Sequence, residues 1–212
     1  MTAAFRPGGV ELRTSGDITN PSGDGRTLVG YAARFHEPTI IREMGVSFRE
    51  QIMPGAFTDS LSRRTPLVQY AHGTDPRVGT LPIAAMQVAR EDAVGLWTEA
   101  RLFESDAAQA VREAVAAGAI GGQSFRFRVI SETWQDANGR TLDTDTAMRA
   151  LHRGDELTRS LQRVDLFECG PVLQPAYTTT TVGVRSAEQR QVMGPGARAS
   201  YLRTLTLRAA LS

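Results

Sequence analysis

The sequence predicts a strand-rich α+β domain over residues 28–185, with a flexible segment at 1–27 before it and a linker and tail at 186–212 after it. Three observations predict it. Several stretches of β-prone or alternating apolar residues follow one another from Leu28 onward. One alanine-rich run, 105–117, switches to helical spacing. Turn formers crowd residues 14–27, and a Gly-Pro-Gly stretch interrupts 186–198.

In chain order, Leu28–Phe35 reads as a strand. Pro54-Gly55-Ala56-Phe57 reads as a turn feeding a short helix at Thr58–Leu61. Pro66–His72 is apolar and β-prone and reads as a strand ending at His72-Gly73. Thr80–Arg90 and Gly95–Phe103 form a strand pair around Glu91-Asp92. In the alanine-rich run, Ser105 is placed to cap the helix, Ala108, Val111 and Val115 mark its apolar stripe, and Gly118 suits its end. That helix delivers the chain into Gly121-Gly122-Gln123-Ser124-Phe125-Arg126-Phe127, where Phe125, Phe127 and Val129 alternate as on a half-buried strand. A polar excursion over 135–145 leads to a short helix near 146–153. Leu157–Leu173 reads as a long, interrupted strand with a bulge or edge position near Pro171. Residues 200–211 suit either a helix or a strand.

Composition narrows the chemistry. At 212 residues and 41% hydrophobic content the chain can bury a core. Its net charge of +1 points to neither nucleic acid nor membrane. No apolar run approaches the roughly 20 residues of a membrane span, and residues 1–13 lack the apolar centre of a signal peptide. A lone cysteine, Cys169, excludes an intramolecular disulfide and suits a reducing compartment, so a soluble intracellular protein is expected. All 24 Lys+Arg residues are arginine. Without lysine there is no serine–lysine dyad, Schiff base or Walker-type phosphate loop. Neither a His-Glu-x-x-His pattern nor a Gly-x-Ser-x-Gly elbow occurs, and no metal or cofactor is expected.

On pattern alone the three histidines read first as structural or solvent-facing and Ser124 as an ordinary strand serine, and a serine nucleophile with a histidine base is the functional alternative. Ser124 stands on a strand just after glycines that leave room for another backbone. Of the three histidines, His72 is the leading base, ahead of His36 and of His152 in its charged stretch. Glu168 lies in the apolar run Leu166-Phe167-Glu168-Cys169-Gly170-Pro171-Val172. It is either a strand residue facing solvent or a carboxylate that orients a histidine ring. Cys169 has apolar neighbours that quieten a thiol, and reads as core.

Five motifs in order resemble one family, the prohead serine proteases of tailed phages, which are related in fold to the herpesvirus assemblins. They are Gly30-Tyr31-Ala32…Phe35, Ile52-Met53-Pro54-Gly55-Ala56-Phe57, His72-Gly73, Gly121–Phe127, and Leu166–Val172 with Pro175-Ala176-Tyr177. The resemblance covers about 28–185. It implies a small, closed, mostly antiparallel barrel ringed by helices, and a catalytic set of Ser124 as nucleophile, His72 as base and Glu168 as third member. Cys169-Gly170-Pro171 departs from the family, which more often has a small hydroxyl residue there. By resemblance, the substrates are capsid and scaffold proteins and the chain itself, cleaved inside the assembling prohead in the host cytoplasm. A homodimer is implied, with no nucleic-acid or membrane partner. The other reading is a catalytically silent assembly module of the same fold.

Overall fold

The computed structural model describes residues 10–17, 19–20, 24–43, 45–173 and 183–184. The linker and the 200–211 segment lie outside them. Two antiparallel-dominated sheets are present, with three helices among the described residues. The first sheet runs β1(Val10–Asp17), β8(Gly122–Asp136), β10(Leu157–Val172), β5(Val46–Ile52), β4(Thr39–Glu43), and a two-residue β9(Thr141–Leu142) pairs with β8. The second runs β11(Gly183–Val184), β2(Thr19–Asn20), β3(Thr27–Arg34), β7(Gly95–Leu102), β6(Ala84–Glu91). Among the described residues neither sheet closes into a barrel, so the strand-rich α+β class is present without the closed barrel that the resemblance implied. Isolated bridges link the two sheets instead, directly at Phe35–Ile52 and through the 67–68 segment at Leu67–Glu168 and Val68–Ala84.

The helices follow their capping residues. Thr58–Arg63 is α1. In α2(Asp106–Ala116), the Ser105 hydroxyl accepts the Ala108 amide, and Ala108, Val111 and Val115 are buried, as the spacing requires. In α3(Thr144–Arg153), the Asp143 carboxylate accepts the Thr146 amide. The expected alternation also holds: Phe125 and Phe127 lie wholly inside, in a core shared with Phe57, Leu161, Leu166 and Cys169.

The N-terminal segment differs from expectation. Residues 10–17, read as part of a flexible end, form an edge strand whose Thr14 lies opposite Ser124. The turn formers there disfavour a strand locally, but pairing to a distant strand outweighs propensity. The long strand β10 is central rather than at an edge, and its irregularities fall before Glu168 rather than at Pro171.

A buried ionic cluster ties five strands together. The Glu50 carboxylate, fully enclosed, accepts from Arg13 Nε at 2.5 Å and from Arg159 Nη1 at 2.9 Å. Arg13 also donates to Glu43 (2.9 Å) and Glu11 (2.8 Å), and Arg159 to Glu11 (2.8 Å) and Glu132 (2.7 Å). Burial disfavours the charge on both guanidiniums, yet the surrounding carboxylates outweigh it and hold both pKa values above the usual arginine value. Replacing Glu50 with glutamine strips the shared anion from two enclosed cations. The expected cost is about 3–5 kcal/mol, read as a fall in urea midpoint at unchanged m-value. A loss below about 1 kcal/mol would show that the remaining carboxylates suffice.

Candidate active site

His72 sits not at the end of a strand but in the turn Ala71–Gly73, and this corrects the sequence reading. Residues 71, 72 and 73 all have left-handed backbones, with φ of 46°, 57° and 73°. For alanine and histidine this conformation costs about 1–2 kcal/mol each, so the surrounding contacts must hold it. Such strain concentrates at functional sites. The chain before the turn is clamped to β10: Leu67 N donates to Phe167 O at 3.0 Å and Cys169 N to Leu67 O at 2.9 Å. Gly170 permits the approach. A Cβ there would lie 2.0 Å from the backbone oxygen of Gln69, so no larger residue fits without moving this segment. Within the Cys169-Gly170-Pro171 departure, the glycine thus has a steric reason in this chain.

The clamp brings His72 onto Glu168. Nδ1 lies 2.7 Å from Oε2, with the carboxylate fully buried and the imidazole 14% exposed. An ionised carboxylate can only accept, so Nδ1 carries the proton and Nε2 is left as the basic nitrogen. The second carboxylate oxygen, Oε1, is buried with no hydrogen-bond partner among the described residues.

A β-bulge aims Glu168. Leu166 lies opposite Phe127, but Glu168 lies opposite Arg126 and Cys169 opposite Phe125, so one extra residue is inserted between Leu166 and Glu168. Directly opposed residues of an antiparallel pair share a face. Leu166 and Cys169 therefore face the core with Phe127 and Phe125, while Glu168 joins the face of Ser124, Arg126 and Arg128. Phe167 carries the Arg64 and Arg128 guanidiniums over its ring, at 4.9 Å and 5.6 Å. Glu168 is not solvent-facing, because the His72 turn covers it.

Ser124 lies opposite Gly170, two positions along from the Glu168–Arg126 pair and on the same face. The His72 turn packs against both β8 and β10. The Ser124 hydroxyl is fully buried and donates to the carbonyl of Arg13 in β1 at 2.8 Å. No hydrogen bond joins it to His72 among the described residues. The structure thus pairs two of the three expected residues directly and puts the third on the neighbouring strand, turned toward β1. His36 and His152 take no part: the first has left-handed backbone after β3, and the second bonds the Met148 carbonyl on α3.

The caudovirus prohead serine protease family matches residues 13–193. The chain belongs to that family. Among solved structures, the bacteriophage T4 capsid assembly protease, gp21, is similar at 11% identity and a TM-score of 0.45, over 78% of this chain and 98% of that one. No curated protein matches. Membership in the prohead serine proteases supports a maturation protease role for this chain.

Two features of this prohead protease were not legible as site residues. Arg13 contributes only its backbone oxygen to Ser124, so its side-chain type gives no signal. Gln69 accepts from Arg126 Nη2 at 3.3 Å and donates to the Thr80 carbonyl, bracing the turn. Its inward position could have been read from its place between Val68 and Tyr70 only with the turn known. Cys169 behaves as its neighbours suggested. Burial, and then the charge of Glu168, pushes its thiol far above the usual range. Iodoacetamide is therefore expected to leave native Cys169 unmodified at pH 8 and to alkylate it fully after denaturation, by intact-mass measurement. Alkylation of the folded chain would show a thiol far more accessible than this core position provides.

Proposed function

We propose that this chain is an endopeptidase that cleaves scaffold or capsid-protein segments, and itself, inside the assembling prohead. The observation that carries the reading is the 2.7 Å contact of His72 Nδ1 with Glu168, on the face of the sheet that holds Ser124. Ser124 attacks the scissile carbonyl carbon as His72 Nε2 takes its proton, giving a tetrahedral intermediate. Collapse expels the amine, which receives that proton from the imidazolium, and leaves an acyl-serine that water hydrolyses by the same relay. Glu168 holds the ring in the required tautomer and stabilises its charged form. The hydroxyl must first rotate from the Arg13 carbonyl toward the imidazole, a change of staggered rotamer. The described conformation is a resting one. Self-cleavage falls in the 186–212 tail, and the working unit is a homodimer.

The engagement of Ser124 with Arg13, and its complete burial, favour a second reading: an assembly module that keeps the fold without turnover. A serine-reactive phosphonate separates the two. Covalent labelling of the wild-type chain that vanishes in Ser124→Ala supports the peptidase. No labelling of the full chain, alone or with proheads, favours the silent module.

A further inference from the structure

We propose that Arg126 reads a carboxylate on the substrate within two residues of the scissile bond, so that this protease prefers acidic sequences there. The inference rests on the peptidase reading above and adds a specificity to it. Arg126 is two residues from Ser124 on β8 and opposite Glu168 on β10, so its side chain shares the face on which the reaction is placed. Two residues span about 7 Å of strand. An extended peptide that presents a carbonyl to Ser124 therefore carries a neighbouring side chain past the Arg126 guanidinium.

The electrostatic state of Arg126 is what points to an anion. It is half-buried, and its one hydrogen bond among the described residues is from Nη2 to the neutral amide oxygen of Gln69, long at 3.3 Å. No carboxylate lies within 4.0 Å of it among the described residues. The two enclosed arginines, Arg13 and Arg159, and the exposed pair Arg63 and Arg64 all differ. Arg13 and Arg159 are surrounded by glutamates, and Arg63 and Arg64 both hold Asp165. The nearest acid by register, Glu168, is engaged with His72 instead. A guanidinium is a planar donor fork matched to a carboxylate, and among the described residues this one has only the Gln69 oxygen as a hydrogen-bond partner. Arg128, exposed and next along the same face, extends the positive row away from Ser124.

The test uses the full chain and internally quenched peptides that differ only as Glu or Gln at each position within two residues of the cleaved bond. Wild type is expected to favour Glu at one position by roughly 10- to 100-fold in kcat/KM, the range for a hydrogen bond to a charged group. In Arg126→Gln that ratio falls to about one, and in Arg126→Glu an arginine peptide becomes the better substrate at the same position. Arg140→Gln, in the exposed turn after β8, keeps the wild-type ratio. A wild-type enzyme that cleaves without discriminating Glu from Gln overturns the inference and leaves the peptidase standing. So does an Arg126→Gln variant that keeps the preference, or one whose pH profile shifts equally for every peptide. Absence of both cleavage and phosphonate labelling removes the peptidase reading and this one with it.

Discussion

Replacing Ser124 with alanine is expected to end peptide cleavage, a fall of roughly a million-fold in kcat, while the chain still folds. The oxygen removed is the one atom on this face of β8 able to form an acyl intermediate beside the His72–Glu168 pair. The stability effect is separable and small. Alanine deletes the donor to the Arg13 carbonyl, a buried contact of 2.8 Å, at a cost of about 1–2 kcal/mol. Intact-mass measurement of the purified full chain and its substrates reads the first effect, and urea unfolding reads the second. If Ser124→Ala acquires the same processed termini as wild type, the cleavage belongs to another residue or another protease.

How much was legible depended on whether the deciding interaction was local. Ser105, with Ala108, Val111 and Val115, writes a helix within eleven residues, and the structure has it. The alternation of Phe125 and Phe127 is likewise a property of neighbours. Strand β1 is not, because Thr14 finds its partner at Ser124, far along the chain, against the turn preference of its own residues. The β4–β5 hairpin (Thr39–Glu43 with Val46–Ile52) went unread for a related reason, since charges break its apolar pattern. Those charges carried a signal all the same. Glu50 has the same parity as buried Phe48 and Ile52, and Arg159 the same parity as buried Leu157 and Leu161. Two opposite charges at inward positions on different strands announce a buried pair before any coordinates. The site shows both limits together. His72 and Glu168 could be nominated by type and context. The left-handed turn and the bulge that join them are not written in residue identity, because alanine and histidine rarely take positive φ.

Glu168→Gln is the sharper test of the relay, because it changes charge with almost no change in shape. Glutamine can present either its oxygen or its NH2 to His72 Nδ1. With the NH2 facing the ring, Nδ1 must accept, the proton moves to Nε2, and the nitrogen needed to deprotonate Ser124 is already occupied. With the oxygen facing, the tautomer survives but the imidazolium loses its counter-charge. Either outcome lowers kcat, by about 10⁴-fold where the tautomer is wrong, with KM little altered because Glu168 is fully enclosed and touches no substrate. The fold is expected to tolerate the change or gain from it. The wild-type carboxylate keeps one buried oxygen without a partner among the described residues, and a neutral amide is less costly to enclose. Single-turnover cleavage beside thermal unfolding reads the two effects apart. In the Ser124→Ala background, Glu168→Gln is expected to remove nothing further, since residues acting through one nucleophile are not additive. A Glu168→Gln enzyme within tenfold of wild type, with its pH profile unmoved, would mean that the carboxylate anchors a strained turn and has no part in moving the proton.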